Sequence, residues 1–109
     1  MSATETGFIV VLTNLPDRES ALKLANSIVE QRLAACVNVL SECTSVYRWQ
    51  GRIEQASEVP VVIKTAAVSF ARLEAAIIAV HPYELPEIIS VPVVAGLAPY
   101  LDWIAAETA

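Results

Sequence analysis

The sequence has few glycines and a single histidine, and both shortages exclude classes of enzyme site. Its three glycines, Gly7, Gly51 and Gly96, are too scattered to form a phosphate-binding loop or a dinucleotide-binding fingerprint. With only His81 available, no nucleophilic triad can be assembled, and the serines and threonines do not lie on a strand-turn-helix elbow. We therefore predict that the chain is not an enzyme and has no organic cofactor.

Cysteine is also scarce, since Cys36 and Cys43 are the only two. They lie seven residues apart on one predicted strand, and an odd separation places side chains on opposite faces of a strand. The pair is therefore not expected to form a disulfide or to share a metal ion. Buried, reduced thiols are the prediction.

Positive charge is sparse and nowhere clustered, and the net charge is −5. This disfavours a nucleic-acid partner, because phosphate contacts need a concentrated positive surface. It is compatible with cationic partners, although acidity in a soluble protein often serves solubility alone. No apolar run reaches the roughly 18 residues of a membrane span, and residues 1–6 lack the basic region of a secretory signal. We expect a cytoplasmic protein with no membrane partner.

Apolar residues are plentiful, at 55% of 109 residues, which suits one domain with one core, and residues 1–6 are expected to be flexible. The most prominent feature is residues 36–65, two strand-like runs that meet at Gln50-Gly51. Each run of about fourteen residues would extend about 45 Å, whereas a compact domain of this length has a radius of gyration of about 13 Å. Because an isolated two-stranded ribbon is marginal in water, we predict an oligomer that supports the outer part of this hairpin.

The register of this hairpin determines which side chains of its two strands lie on the same face. Counting outward from the turn pairs Trp49 with Arg52, Tyr47 with Glu54 and Cys43 with Glu58. In that register two apolar sets point to opposite faces, namely Val37 and Val39 in the first run and Val59, Val61 and Ile63 in the second. One extra residue in the second run would bring them to one face. We predict a β-bulge or a strand break between Gln55 and Pro60.

The segments before the hairpin predict a strand and a helix. Residues 7–14 form a short apolar run typical of an inner strand. Asp17 occupies an N-cap position, and apolar residues then recur at three- and four-residue spacing. This helix is predicted to end near Leu33.

The segments after the hairpin predict helix, strand and helix. An amphipathic pattern begins at Phe70 and stops at His81, because the residue before Pro82 is pushed out of helical geometry. Residues 87–94 predict a strand, and residues 99–106 a terminal helix with proline in its first turn. The order predicts an α+β fold: a ferredoxin-like βαββαβ sandwich with a long hairpin between its second and third strands and a C-terminal helix. Its uncovered sheet face would be buried if three chains met.

His81 is the best single candidate for a metal ligand, because its imidazole suits soft divalent ions. The alternative is a helix-end histidine that bonds a terminal carbonyl. Glu84 and Glu87 are either assisting ligands or solvated loop carboxylates. A tetrahedral site needs about four ligands, and no one segment supplies them, so a metal site here is predicted to be partial or shared between chains.

Aromatic and charged residues also cluster near the hairpin tip, where Tyr47, Trp49, Arg52 and Glu54 lie. Cross-strand pairing explains them without a function, and contact with a partner subunit is the alternative. Farther along the second run, Glu58 and Lys64 are candidates for a salt bridge that lines an inter-subunit cleft.

Five segments together resemble the CutA divalent-cation tolerance proteins: LAACVN at 33–38, SVYRWQGRIE at 45–54, EVPVVIKT at 58–65, HPYELPEI at 81–88 and YLDWI at 100–104. They occur in the order and at the spacing of that family. The resemblance implies a ferredoxin-like fold, a homotrimer similar in assembly to the PII signalling proteins, and a link to tolerance of copper and other divalent ions.

The resemblance also implies site residues. His81 matches a proposed copper ligand, whereas Thr13 and Val80 stand where some members have a cysteine and a second histidine. The residues that point to an inter-subunit cleft are Tyr47, Trp49, Glu58, Lys64, Tyr83 and Glu84.

Two hypotheses of function follow. The first is a non-catalytic homotrimer that binds Cu²⁺ or another divalent cation weakly. The second is a PII-like trimer that senses a small molecule or binds a partner, with only indirect effects on metal tolerance. A hydrolase is a minor third possibility, since no activated nucleophile supports it.

Overall fold

The computed structural model describes residues 6–109, so most of the segment predicted to be flexible, residues 1–6, lies outside the described residues. The strands are β1 (Phe8–Leu15), β2 (Cys36–Val39), β3 (Cys43–Trp49), β4 (Arg52–Ala66) and β5 (Ile89–Pro92). The helices are α1 (Arg18–Glu30), α2 (Phe70–Val80) and α3 (Ala98–Glu107). A short 3-10 helix, Ala67–Ser69, leads into α2.

The strands form a mixed α+β architecture around one antiparallel sheet. Its order is β2-β4-β1-β5, with β3 pairing the outer half of β4. The long strand β4 is therefore the centre of the molecule, because its inner half pairs with β1 and β2 while its outer half leaves the sheet with β3. The element order and this strand order agree with the predicted split βαβ arrangement.

Alternation in β1 and in the inner half of β4 creates the core. The odd-numbered residues of these two segments are buried, and they are Ile9, Val11, Thr13 and Leu15 in β1 and Val59, Val61, Ile63 and Thr65 in β4. Leu24 and Ile28 of α1 and Leu73 and Ile77 of α2 pack with the apolar members of this set. Both helices therefore cover the same face, as predicted.

The ends of α1 show why it is shorter than predicted. The Asp17 carboxylate accepts a hydrogen bond from the Ser20 backbone N–H at 2.7 Å, which confirms the N-cap. At the other end Arg32 has a φ of 61°, and the N–H groups of Arg32 and Leu33 donate to the carbonyls of Val29 and Ile28. This is a Schellman motif with arginine where glycine is usual, so the helix stops at Glu30.

The hairpin turn has positive φ at both central residues, 49° at Gln50 and 80° at Gly51. This matches the type I′ turn that suits two-residue hairpins. The predicted register is confirmed, with Trp49 opposite Arg52, Tyr47 opposite Glu54 and Cys43 opposite Glu58.

The predicted shift of register occurs, but in the other arm. Val37 pairs with Ile63 and Val39 with Val61, so these apolar residues do share a face. However, β4 is continuous from Arg52 to Ala66, and the first arm is interrupted over residues 40–42. The prediction of a break between Gln55 and Pro60 was wrong. The extra residue lies in residues 40–42, opposite Val59 and Pro60.

This shift also changes the placement of the cysteines. Cys36 is opposite Lys64 and Cys43 is opposite Glu58, and both partners are even-numbered residues of the continuous strand β4. The two thiols therefore lie on the same side of the ribbon, so the opposite-face prediction was wrong. Both are free and half-buried, and six residues of β4, about 20 Å, separate their positions.

The second half of the chain follows the predictions closely. His81 has an extended backbone and terminates α2, β5 is shorter than its predicted run of residues 87–94, and α3 carries proline in its first turn. The third helix packs against β4. Within residues 6–109, no helix is both long enough and apolar enough to span a membrane.

Candidate functional site

One side of the outer hairpin faces a cleft. Residues that alternate along β3 and β4 share this side, and those lining the cleft are Ser45, Tyr47, Trp49, Ala56 and Glu58. Large aromatic rings stand near the tip, small side chains lie between, and a carboxylate lies where the ribbon joins the sheet. The register of the hairpin thus sets the composition of one wall.

The loop after α2 forms the opposite wall through Pro82, Tyr83, Glu84, Leu85 and Glu87, and the end of β1 adds Asn14. The Asn14 amide donates to Glu87 Oε1 at 3.2 Å, which ties the loop to the sheet. The space is open to solvent and has a volume of about 900 Å³. We call this space, lined by the hairpin and loop residues just named together with Val46 and Arg48 of β3, the hairpin cleft.

Glu58 and Tyr83 meet across the hairpin cleft. The Glu58 side chain is only 8% exposed. Burial, a hydrogen bond to the Glu58 carboxylate and the charge of that carboxylate together raise the pKa of Tyr83 to about 12. The phenol is therefore neutral at pH 7 and is available as a donor to the Glu58 carboxylate.

His81 lies behind Tyr83 and joins the loop to the core. Its Nδ1 accepts a hydrogen bond from the Tyr83 backbone N–H at 3.2 Å, so Nε2 carries the proton and donates to the Asn14 carbonyl at 2.7 Å. The imidazole also packs edge-on against the Tyr83 ring, with 4.8 Å between centroids. Both ring nitrogens are thus committed to backbone groups.

The residues that the resemblance connects with copper do not form one site in a single protomer. Thr13 is buried beneath the helices, Val80 is exposed at the end of α2, and His81 is held by its two hydrogen bonds. From Thr6 onward, the structure brings no three His, Cys, Asp or Glu side chains together in a way that could hold a metal ion. A resident metal ion does not fit this donor set.

Five of the six predicted cleft residues line the hairpin cleft: Tyr47, Trp49, Glu58, Tyr83 and Glu84. Lys64 does not, since it lies deeper along β4, opposite Val10 and Cys36. A Glu58–Lys64 pair within one chain is ruled out by their spacing, because six residues of extended strand separate them by about 20 Å. Whether the cleft lies between subunits stays a prediction.

Sequence reasoning named Glu87 only as a candidate metal ligand, and it missed several other lining residues, among them Asn14, Ser45 and Ala56. Ser45 and Ala56 could have been found, because the counted register places them opposite each other on the same side as Tyr47. The Asn14–Glu87 contact joins residues that are 73 positions apart, and no local pattern signals it.

Fold and site together define a class: small α+β proteins with one antiparallel sheet, helices on one face, and a cleft beside an extended hairpin in place of a metal cage. A family model described as CutA1 divalent ion tolerance protein matches residues 9–107. The chain belongs to this CutA family.

Individual relatives agree with this assignment. The divalent-cation tolerance protein CutA of Thermus thermophilus is 42% identical over 99 residues, which cover 91% of this chain and 96% of the relative. Human CutA is 45% identical over 89 residues, 82% of this chain, and the match spans 50% of the human protein. This chain thus spans only about half the length of some curated relatives.

Solved structures match the whole fold. The crystal structure of CutA from Xylella fastidiosa superposes with a TM-score of 0.91 at 42% identity, covering 94% of this chain and 99% of that one. CutA1 from Oryza sativa superposes with a TM-score of 0.92 at 36% identity, covering 99% and 98%. The fold is therefore shared from β1 to α3.

Proposed function

We propose that this protein is a non-catalytic homotrimer that acts in tolerance to divalent cations, including copper, and binds them weakly. The observation that carries the proposal is the acidic lining of the hairpin cleft, to which Glu58, Glu84 and Glu87 all contribute. Three carboxylates attract cations without the preformed geometry that tight binding needs. Membership of the CutA1 divalent ion tolerance family supports the biological setting.

His81 is the nitrogen ligand in this proposal, and its surroundings explain why binding is weak. Copper can reach Nε2 only after the 2.7 Å hydrogen bond to the Asn14 carbonyl is broken. Binding at Nδ1 would displace the Tyr83 N–H instead. Either event leaves a backbone group without its partner, and that cost lowers the affinity.

The homotrimer is supported by the shape and surface of one protomer. The long axis measures 44 Å and the radius of gyration is 14.6 Å, above the roughly 13 Å of a compact domain of this size. Large apolar side chains stay exposed on the outer hairpin and the edge strand, namely Val46, Ile53, Ile89 and Val91. A soluble protein rarely leaves such a set uncovered.

The cytoplasm is the proposed location, with no nucleic-acid or membrane partner. The free thiols of Cys36 and Cys43 suit a reducing compartment. A net charge of −5 opposes binding to phosphate backbones.

Calorimetric titration with Cu²⁺ tests the metal proposal. We expect a weak, saturable heat from the native protein and a smaller heat from His81→Ala. Glu74→Gln, which removes a carboxylate from α2 outside the cleft, is the control and should match the native protein. Equal heats from the native protein and His81→Ala would exclude His81 as a ligand, and no heat from the native protein would exclude direct copper binding.

A second candidate function is a PII-like trimer that senses a small molecule. The aromatic lining and the volume of about 900 Å³ favour it, because this is the size of pockets that hold organic ligands. A thermal-shift screen of metabolites tests it, since a ligand of the folded trimer raises its melting temperature by mass action. If no metabolite shifts the melting temperature, this candidate fails.

A further inference from the structure

The hairpin cleft contains a carboxylate whose charge has no described counterion. Glu58 is more than nine-tenths buried, and the hydrogen-bond partner that the structure gives it within residues 6–109 is the Tyr83 phenol. A phenol is neutral at pH 7, so it satisfies a lone pair of Glu58 without cancelling the charge. Burying a carboxylate without an opposite charge is costly, and a positively charged ligand would offset that cost.

Aromatic rings line both walls of the cleft that begins at this carboxylate. Tyr83 meets Glu58 on the loop side, and Tyr47 and Trp49 lie farther out on the hairpin side, opposite Glu54 and Arg52, about 13 Å and about 20 Å along β4 from Glu58. The faces of such rings attract cations through their quadrupole and also pack against apolar groups. Together with Glu58 they favour a ligand that has both a positive charge and an apolar body.

The size of the cleft favours an organic cation over a bare metal ion as its ligand. Its volume of about 900 Å³ lies within the range of pockets for organic molecules. A metal ion would need several donors converging on a single point, and no group of three forms in the described part of the chain. At the rim, Glu84 and Glu87 make the electrostatic potential more negative. Arg48 is the one cationic residue that lines the cleft.

From these features we propose that the hairpin cleft binds an organic ammonium ion. Glu58 accepts hydrogen bonds from the ammonium N–H groups, while Tyr83 and Tyr47 pack against the rest of the ligand. This inference rests on the second candidate function, since it names the chemical class of the small molecule. It requires no movement of His81.

Titration of the ¹⁵N-labelled full chain with benzylammonium chloride tests this proposal by NMR. The backbone N–H signals of Glu58 and Tyr83 report on the cleft, and the Trp103 indole N–H on α3 serves as an internal control. We expect a saturable shift of the Glu58 and Tyr83 signals and none of the Trp103 signal. Benzyl alcohol and benzoate, which keep the ring but lose the positive charge, should bind at least about tenfold more weakly.

Two variants test whether the negative charge that binds the ligand is that of Glu58. Glu58→Gln keeps the shape of the side chain and should lower the affinity for benzylammonium at least about tenfold. Glu30→Gln, which removes an exposed carboxylate at the end of α1, makes the same change in net charge and should leave the affinity unchanged. If Glu58→Gln does not fold, the comparison of the three benzyl compounds on the native protein decides whether binding requires a positive charge on the ligand.

Three results would overturn the proposal: equal binding of benzyl alcohol, unmoved Glu58 and Tyr83 signals, or unchanged affinity in Glu58→Gln. A neutral or anionic metabolite that raises the melting temperature while benzylammonium does not bind would overturn it and leave the second candidate function standing. If calorimetry shows that Cu²⁺ binds and benzylammonium does not bind, the proposal is overturned and the first function alone is supported.

Discussion

Two buried threonines, Thr13 on β1 and Thr65 on β4, differ in whether their hydroxyl has a partner. The Thr65 hydroxyl donates to the Leu33 carbonyl at 2.7 Å and holds the segment after α1 against the sheet. The Thr13 hydroxyl is buried among apolar side chains and has no hydrogen-bond partner within residues 6–109. The same residue type therefore has opposite effects on stability at the two positions.

Replacement of each threonine by valine should separate these effects. We expect Thr13→Val to raise the free energy of unfolding by about 1 kcal/mol, because it removes an unpaired hydroxyl and keeps the shape. Thr65→Val should lower it by about 1–3 kcal/mol, because the Leu33 carbonyl loses its donor. Urea denaturation at one fixed protein concentration measures both. A destabilised Thr13→Val would show that the hydroxyl does have a partner in solution.

Tyr83 predicts how stability changes at alkaline pH. Its pKa rises from 10.0 to about 12 in the folded protein, first because of burial and then because of Glu58. Between these values the unfolded chain loses the proton while the folded chain keeps it, so the free energy of unfolding falls as the pH rises. Below pH 10 this contribution is fully present.

Tyr83→Phe should remove that part of the pH dependence. Urea denaturation between pH 9 and pH 11 should give a steeper loss of stability for the native protein than for the variant, with Tyr100→Phe on α3 as the control that retains the native slope. Parallel curves for the native protein and Tyr83→Phe would mean that the phenol ionises normally in the folded state.

At the scale of elements, α2 has two neighbouring isoleucines in opposite environments. Ile77 is fully buried against the sheet, and Ile78 is 57% exposed. We expect Ile77→Ala to cost about 2–5 kcal/mol through lost burial and a residual cavity, and Ile78→Ala to cost less than about 1 kcal/mol in a protomer. Thermal and urea denaturation compare the pair. A large effect of Ile78→Ala would place that side chain in a contact between subunits.

How far an element could be predicted depended on whether its pattern was local. The strand predicted from the apolar run at residues 7–14, the Asp17 cap and the stop before Pro82 are set by neighbours in the chain, and the structure confirms all three. Arg32 has a conformation that favours glycine, and its side chain donates to the carbonyl of Ala106 in the last turn of α3 and to that of Ala109. Contacts of this length explain why the end of α1 was not predicted.

The interrupted arm of the hairpin shows a different limit. Alternation showed that one residue had to be inserted, but an insertion in either arm exchanges the faces equally. Pro60 suggested the second arm. Proline lacks only the N–H, and the Pro60 carbonyl still accepts a hydrogen bond from Leu40 at 2.9 Å, so β4 continues through it. The choice between the arms needed the tertiary structure.

Only part of the cleft was predicted, because some of its contacts also depend on the tertiary structure. Tyr47 and Trp49 followed from the hairpin register, whereas the role of His81 depended on the Asn14 carbonyl, 67 residues away. From sequence alone a histidine beside acidic residues suggests a metal ligand. In the structure its two hydrogen bonds position the wall of the cleft, which no spacing of residues could indicate.

At the scale of the whole molecule, the protomer has an outer ribbon that its own core does not cover. Val46 and Ile53 lie diagonally across β3 and β4, on the side away from Tyr47, and each is 62% exposed. An isolated ribbon of this kind gains little from burial and is marginally stable. The ribbon is nevertheless regularly paired along its full length, which is the arrangement expected if a second chain packs against it.

Light scattering tests this proposed assembly. We expect a molar mass three times the 11.7 kDa of one chain, unchanged by added Cu²⁺. Ile53→Asp should lower the molar mass at micromolar concentration and make the melting temperature depend on concentration, because burying a carboxylate in an apolar contact is costly. Val68→Asp is the matched control, since Val68 is 88% exposed in the 3-10 helix, away from the hairpin. A native protein that remains a stable single chain at micromolar concentration would contradict the trimer, and a trimeric Ile53→Asp would place the contact elsewhere.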